Sequence, residues 1–186
     1  MGPPADVHPV GIEDALLLRL PASVDPRGSL SEVFRRAWVP GAREMVQANL
    51  SVSRPGVLRG LHFHRRQADY WCFLDGPAFV GLFDLRRGSP TEGRTVQLTM
   101  DPAEGLRGLY LPPGVAHGFY ALGEVRLLYL VDAYYTGEDE FGLAWDDPAV
   151  GIRWPVAQPV LSDRDRANPG LAQVLRDAPT WPALPG

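Results

Sequence analysis

Histidine is scarce in this chain, four in 186 residues, and three of the four sit where strands and glycines would bring them together. In Gly56–Trp71, GVLRGLHFHRRQADYW, His62 and His64 are one residue apart within an apolar, β-forming run that ends in a charged turn. Residues two apart on a strand point to the same face, so the two imidazoles project side by side, with Leu58 and Gly60 on that face. Gly60 leaves room for something to approach the backbone closely. His117 lies in Tyr110–Phe119, YLPPGVAHGF, behind the rigid turn Pro112-Pro113-Gly114. The fourth, His8, falls in a Pro-rich N-terminus and reads as solvated. Imidazole titrates near neutral pH, so a site shared by His62, His64 and His117 is suited to moving protons.

Something must hold those histidines together, and composition says what kind of fold can. The length suits a single domain over residues 1–186 with a sizeable core. At 45% hydrophobic and 22% charged, the chain is ordinary for a soluble globular protein. No apolar run is long enough to cross a bilayer, and MGPPADVHPVG lacks the features of a secretory signal. The expectation is cytoplasmic, with no membrane partner. A net charge of −4 argues against a nucleic-acid partner. The single cysteine, Cys72, lies in the apolar run YWCFL, which excludes an intrachain disulfide and suits a buried, inert thiol. All 18 basic residues are arginine, so no lysine can act as Schiff base, general base or oxyanion partner.

The 20 glycines and 19 prolines are spread along the chain, which favours many short strands over long helices. Asp14–Leu20 reads as a first strand, ended by Pro21. Asp25–Phe34 has a turn at Pro26–Gly28, and its Glu32 is either an inward carboxylate or a solvated edge acid. Glu44–Ser53 places Val46, Ala48, Leu50 and Val52 on one face and Gln47, Asn49 and Ser51 on the other. That polar stripe is either the wet face of a sheet or a set of hydrogen-bond groups for a ligand. Trp71–Leu74, Ala78–Leu85, Thr95–Met100, Gly108–Leu111 and Val125–Val131 read as further strands, with Arg86–Arg94 as a hairpin connection. Asn168–Arg176 suits a short helix with Asn168 as cap and Pro169 first. Near ten strands with regular turns point to an all-β sandwich or barrel, best a β-jelly roll with short peripheral helices.

Five blocks, in order, carry a likeness: VLRGLHF, FDLRRGSPTEG, YLPPGVAHGF, LLYLVDAYY and WDDPAVGIRWP. Together they resemble the dTDP-4-dehydrorhamnose 3,5-epimerase family of the cupin superfamily, over roughly Asp25 to Arg166. The resemblance implies a cupin-type jelly roll, a nucleotide-linked 4-keto-6-deoxy sugar as substrate, no metal or organic cofactor, and a homodimer formed by strand exchange. It implies that the C4 ketone acidifies the C3 and C5 protons, that a base forms an enolate, and that an acid returns a proton to the opposite face. His62 matches the base, Asp147 its carboxylate partner and Tyr129 the acid, with His117 a further site member. Arg27, Gln47, Asn49 and Arg59 match positions lining the nucleotide and diphosphate pocket, Glu32 joins them as a candidate carboxylate, and Tyr134 matches a tyrosine near the nucleobase.

The chain also departs from that pattern. Asp69 stands where the family usually has a lysine that helps hold the enolate oxygen. Leu130 replaces another lysine, His64 replaces an amide, and Ser29-Leu30 replaces an aromatic pair. Those departures resemble a different pattern, that of metal-binding cupins. On that alternative His62, His64, Asp69 and His117 would ligate Fe, Mn, Ni or Zn, in a dioxygenase, an isomerase or a sugar-binding protein. A non-catalytic sugar-nucleotide binder is the third alternative.

Overall fold

Short alternating runs cut by glycine and proline become strands throughout residues 5–177, the part of the chain that the computed structural model describes. In chain order they are β1 (Asp6–Pro9), β2 (Leu16–Arg19), β3 (Ala22–Asp25), β4 (Gly28–Ser31), β5 (Gln47–Ser53), β6 (Leu58–Phe63) and β7 (Asp69–Asp75). There follow β8 (Ala78–Asp84), β9 (Thr95–Met100), β10 (Arg107–Leu111), β11 (Val115–Ala121), β12 (Val125–Val131) and β13 (Phe141–Gly142). Two short helices, α1 (Asp163–Arg166) and α2 (Leu171–Asp177), come last.

Two antiparallel sheets form the body, ordered β1-β2-β10-β7-β12-β5 and β13-β6-β11-β8-β9, while β3 and β4 make a separate hairpin. This is the all-β jelly roll expected from the sequence. Between the sheets lies a core in which Trp71, Phe73, Leu109 and Leu127 of the first meet Val80, Leu82, Val115 and Phe119 of the second. Trp71 and Phe73 both pack edge-on against Phe119. Each sheet is also covered from outside. Leu18, Tyr70 and Cys72 pack against Trp38, Val39 and Ala42, and Leu61, Phe63 and Phe83 pack against Leu143, Val150 and Val174. Burial on both faces explains why YWCFL and AFVGLF are continuous apolar runs rather than alternating ones.

The helix read at Asn168–Arg176 begins later, at Leu171. Asn168 is not its cap; the Asn168 Nδ2 donates to the Leu61 carbonyl at 3.5 Å. Asp6–Pro9 adds a strand on the sheet edge that the sequence reading did not include, and His8 on it is exposed beside Asp6, as expected.

β6 and β11 approach so closely that side chains are excluded between them. A Cβ on Gly60 would lie 2.7 Å from Gly118 Cα, and one on Gly118 would lie 2.7 Å from the Arg59 carbonyl oxygen. That approach sets His62 directly opposite His117 in the ladder. Gly118→Ala should therefore cost about 1–3 kcal/mol, the range for overpacking a closed core. Urea unfolding measures it, and an unchanged midpoint would show that the two strands can part without penalty.

Candidate active site

The two sheets line an open cavity of about 720 Å³. Its walls draw on both sheets: Gln47 and Asn49 from β5, Tyr129 from β12, Asp69 and Trp71 from β7, His62 from β6 and His117 from β11. Trp71, Phe119 and Leu127 close it against the core.

The polar stripe of β5 faces this cavity, so of its two readings the ligand-facing one fits the structure. Gln47 Nε2 donates to Asn49 Oδ1 at 3.0 Å, fixing both amides. Alternating with them, Leu50 and Val52 stay 63% and 52% exposed on a strand at the sheet edge.

His62 has a carboxylate partner, and it is Asp165. Its Nε2 lies 2.6 Å from Asp165 Oδ1. A carboxylate accepts, so Nε2 carries the hydrogen and Nδ1 is the basic nitrogen of the neutral ring. Asp165 is buried in the first turn of α1, where Ser162 caps the helix by accepting from the Asp165 N–H. Burial raises the Asp165 pKa, but the His62 hydrogen bond and charge, with the Gly60 N–H, hold it below the usual carboxylate value. The segment reaches β6 because Val160 pairs with it: the Leu58 N–H donates to the Val160 carbonyl at 3.0 Å.

Asp147 does not fill the role expected of it. Its Oδ1 accepts from the Ala149 N–H at 2.8 Å and its Oδ2 from the Leu171 N–H at 2.7 Å. The carboxylate ties a turn to the start of α2, and both oxygens are occupied. The clue to Asp165 was Ser162-Asp163-Arg164-Asp165, the spacing of a helix N-terminus whose acid sits in the first turn.

Tyr129 lies half-buried in the cavity wall. Burial raises its pKa, the Asp69 and Glu140 charges raise it further, and Arg59 opposes them. The phenol is therefore held in its protonated form. Arg59 lines the cavity with an exposed side chain, its Nε donating to Ser53 Oγ at 2.8 Å. Glu140 and Arg164, which sequence reasoning did not single out, form an ion pair in the wall.

Three further expected residues lie outside this cavity. Arg27 is paired with Asp25 at 2.6 Å in the exposed β3–β4 turn. Glu32 faces Arg35, making the solvated reading of that acid the right one here. Tyr134 is 71% exposed, while its neighbour Tyr135 lines the cavity and donates its N–H to Gln47 Oε1 at 3.2 Å.

The four-ligand metal set also needs correction. His64, Asp69 and His117 converge, with ligand atoms within 4.8 Å of one another, but His62 is not among them because Asp165 engages it. Burial pushes the His117 pKa down to about 4, with Asp69 opposing and His64 adding to the fall, so that ring is neutral.

The family model of dTDP-4-dehydrorhamnose 3,5-epimerase matches residues 9–173. The chain belongs to the dTDP-4-dehydrorhamnose 3,5-epimerase family. A member of that name from Streptomyces griseus is 36% identical over 179 residues, covering 91% of this chain and 88% of that one. Another, from Neisseria gonorrhoeae, is 37% identical over 184 residues; the match covers 95% of this chain but 56% of the relative. Among solved structures, NovW, a 4-keto-6-deoxy sugar epimerase of Streptomyces spheroides, superposes with a TM-score of 0.84. It is 36% identical, with 95% of this chain and 92% of that one covered. Membership of this epimerase family favours proton-transfer chemistry at the cavity over the dioxygenase alternative. Among the described residues no helix is long and apolar enough to cross a membrane.

Proposed function

We propose that the chain is an epimerase of a dTDP-linked 4-keto-6-deoxy sugar, inverting C3, C5 or both. The observation that carries this reading is the His62–Asp165 dyad on one sheet's side of the cavity with the protonated Tyr129 on the other sheet, in a chain of this family. A C4 ketone makes the adjacent C–H acidic. His62 Nδ1 removes that proton, the electron pair moves into the carbonyl as an enolate, and Asp165 stabilises the imidazolium that results. Tyr129 then donates its proton to carbon from the other face, and solvent restores both groups.

Arg59, Gln47 and Asn49 supply a guanidinium and amides in the same cavity, which suits a nucleoside diphosphate. The reading also includes a homodimer formed by strand exchange. Val24 and Leu30 are 78% and 74% exposed on the β3–β4 hairpin, and Leu50 and Val52 are exposed on the edge strand β5. An apolar hairpin and an apolar edge of this kind are covered by docking on each other in a second copy. Arg27, on that hairpin, would then serve the partner's cavity. A cytoplasmic setting, where charged nucleotide sugars are made, goes with the same reading.

The experiment is incubation with dTDP-4-keto-6-deoxyglucose and determination of product configuration from proton couplings. Inversion at C3 or C5 is the expected result; an unaltered sugar refutes the activity. Tyr129→Phe should abolish inversion while leaving loss of the substrate C–H proton to solvent measurable, because the base is intact. If inversion persists in Tyr129→Phe, the acid is another group.

A further inference from the structure

We infer that His64, Asp69 and His117 form a site for one divalent transition-metal ion, set in the cavity wall and separate from the His62–Asp165 dyad. The inference goes beyond the epimerase reading and does not depend on it. His64 Nε2 is 3.8 Å from Asp69 Oδ1, and His117 Nε2 is 3.8 Å from Asp69 Oδ2. These separations are too long for hydrogen bonds. Two ligands held about 2.1 Å from one ion in a tetrahedral arrangement lie about 3.4 Å apart, so binding an ion would draw donors that start within 4.8 Å of one another somewhat closer together.

The rings are already turned for the task. His64 Nδ1 lies 2.6 Å from the Asp139 carbonyl oxygen and His117 Nδ1 lies 2.9 Å from that of Val115. A carbonyl only accepts, so each Nδ1 carries the hydrogen, which leaves Nε2, the nitrogen that faces Asp69, as the ligand atom of each ring. A backbone carbonyl behind the far nitrogen is how metal-ligating histidines are held in their tautomer and orientation. The indole of Trp71 stands edge-on to the His117 ring, 5.1 Å between centroids and 88° between planes, which holds that ring in place.

Asp69 is buried, and the hydrogen bonds it accepts come from Gln67 Nε2 at 2.8 Å and Trp71 Nε1 at 3.4 Å. Both donors are neutral. Among the described residues no arginine forms an ion pair with Asp69. One carboxylate and two imidazole nitrogens therefore converge with no arginine paired to them among the described residues, an arrangement that a positive ion satisfies at all three points. Two imidazoles and one carboxylate suit Zn, Fe, Mn or Ni better than the all-oxygen cages of Mg or Ca. All three residues line the cavity, so the remaining coordination positions open toward its contents.

The test uses the full chain, stripped with chelator and dialysed against Co²⁺. We expect about one Co²⁺ per chain with visible d–d bands. Asp69→Asn and His117→Gln should each weaken binding by ~10-fold or more. His62→Asn should bind the ion as the unaltered protein does while losing turnover, which separates this site from the epimerase reading. Near-UV circular dichroism checks that each variant is folded. If those two substitutions unfold the chain, His64→Gln decides. No uptake at micromolar Co²⁺, equal uptake by the site variants, or loss of uptake in His62→Asn would each overturn the proposal.

Discussion

His62→Asn should lower turnover by about 10²- to 10⁴-fold, the share a positioned general base contributes, with substrate affinity nearly unchanged. The split between rate and affinity follows from the geometry. His62 Nε2 is held by Asp165, so the remaining nitrogen acts on the substrate proton, and it acts chiefly in the transition state. Arg59, Gln47 and Asn49, which would grip the nucleotide, are untouched by the change. Steady-state kinetics on the keto sugar decide it. A variant within a few-fold of the parent rate would mean that the base lies elsewhere.

The second large effect distinguishes two aspartates. Asp165→Asn keeps the side-chain volume but removes the charge that supports an imidazolium, and should lower turnover by about 10²- to 10⁴-fold, as for other carboxylate-supported histidine bases. Asp147→Ala should leave turnover close to the parent value, because both its oxygens accept from backbone N–H groups and the carboxylate bonded to His62 is that of Asp165. Its cost is in stability, about 0.5–2 kcal/mol, the range for losing a helix cap. Paired measurements of turnover and urea midpoint on the two variants check both halves. The reverse pattern would restore Asp147 as the partner of the base.

The exchange of Asp147 for Asp165 shows where sequence reasoning stopped. His62, Tyr129 and His117 lie on strands; strand periodicity with glycine spacing suggested one site for the histidines, and the family likeness added Tyr129 to it. A carboxylate that arrives from a turn or from a four-residue helix has no such period. Asp147, in a turn, and Asp165, in the first turn of α1, are both acids of the C-terminal part. Only the three-dimensional course of the chain, with Val160 lying against β6, decides which one reaches the imidazole. The same limit explains α2, where Pro169 and Asn168 suggested a start but the Asn168 side chain is drawn to Leu61 instead.

The β-sandwich itself was legible because its signals are local: alternation, continuous apolar runs, and turn residues between them. The β5 stripe was half legible. Its alternation was plain, yet which face was the more buried could not be read, because the amides are half-buried and the leucine and valine are exposed. That inversion of the usual pattern makes sense at a sheet edge beside a polar cavity. For Arg27, Glu32 and Tyr134, a likeness in sequence carries no information on whether the same chain or a second copy supplies the contact. In this chain alone they stand outside the cavity.

The most direct test of the account is solvent exchange at the sugar carbons, followed by proton NMR in deuterium oxide with dTDP-4-keto-6-deoxyglucose. If the His62–Asp165 dyad removes a proton next to the ketone, the parent protein replaces the C3 or C5 hydrogen by deuterium and His62→Asn does not. Undiminished exchange in a folded His62→Asn variant, or retention of both hydrogens by the parent protein, would contradict it.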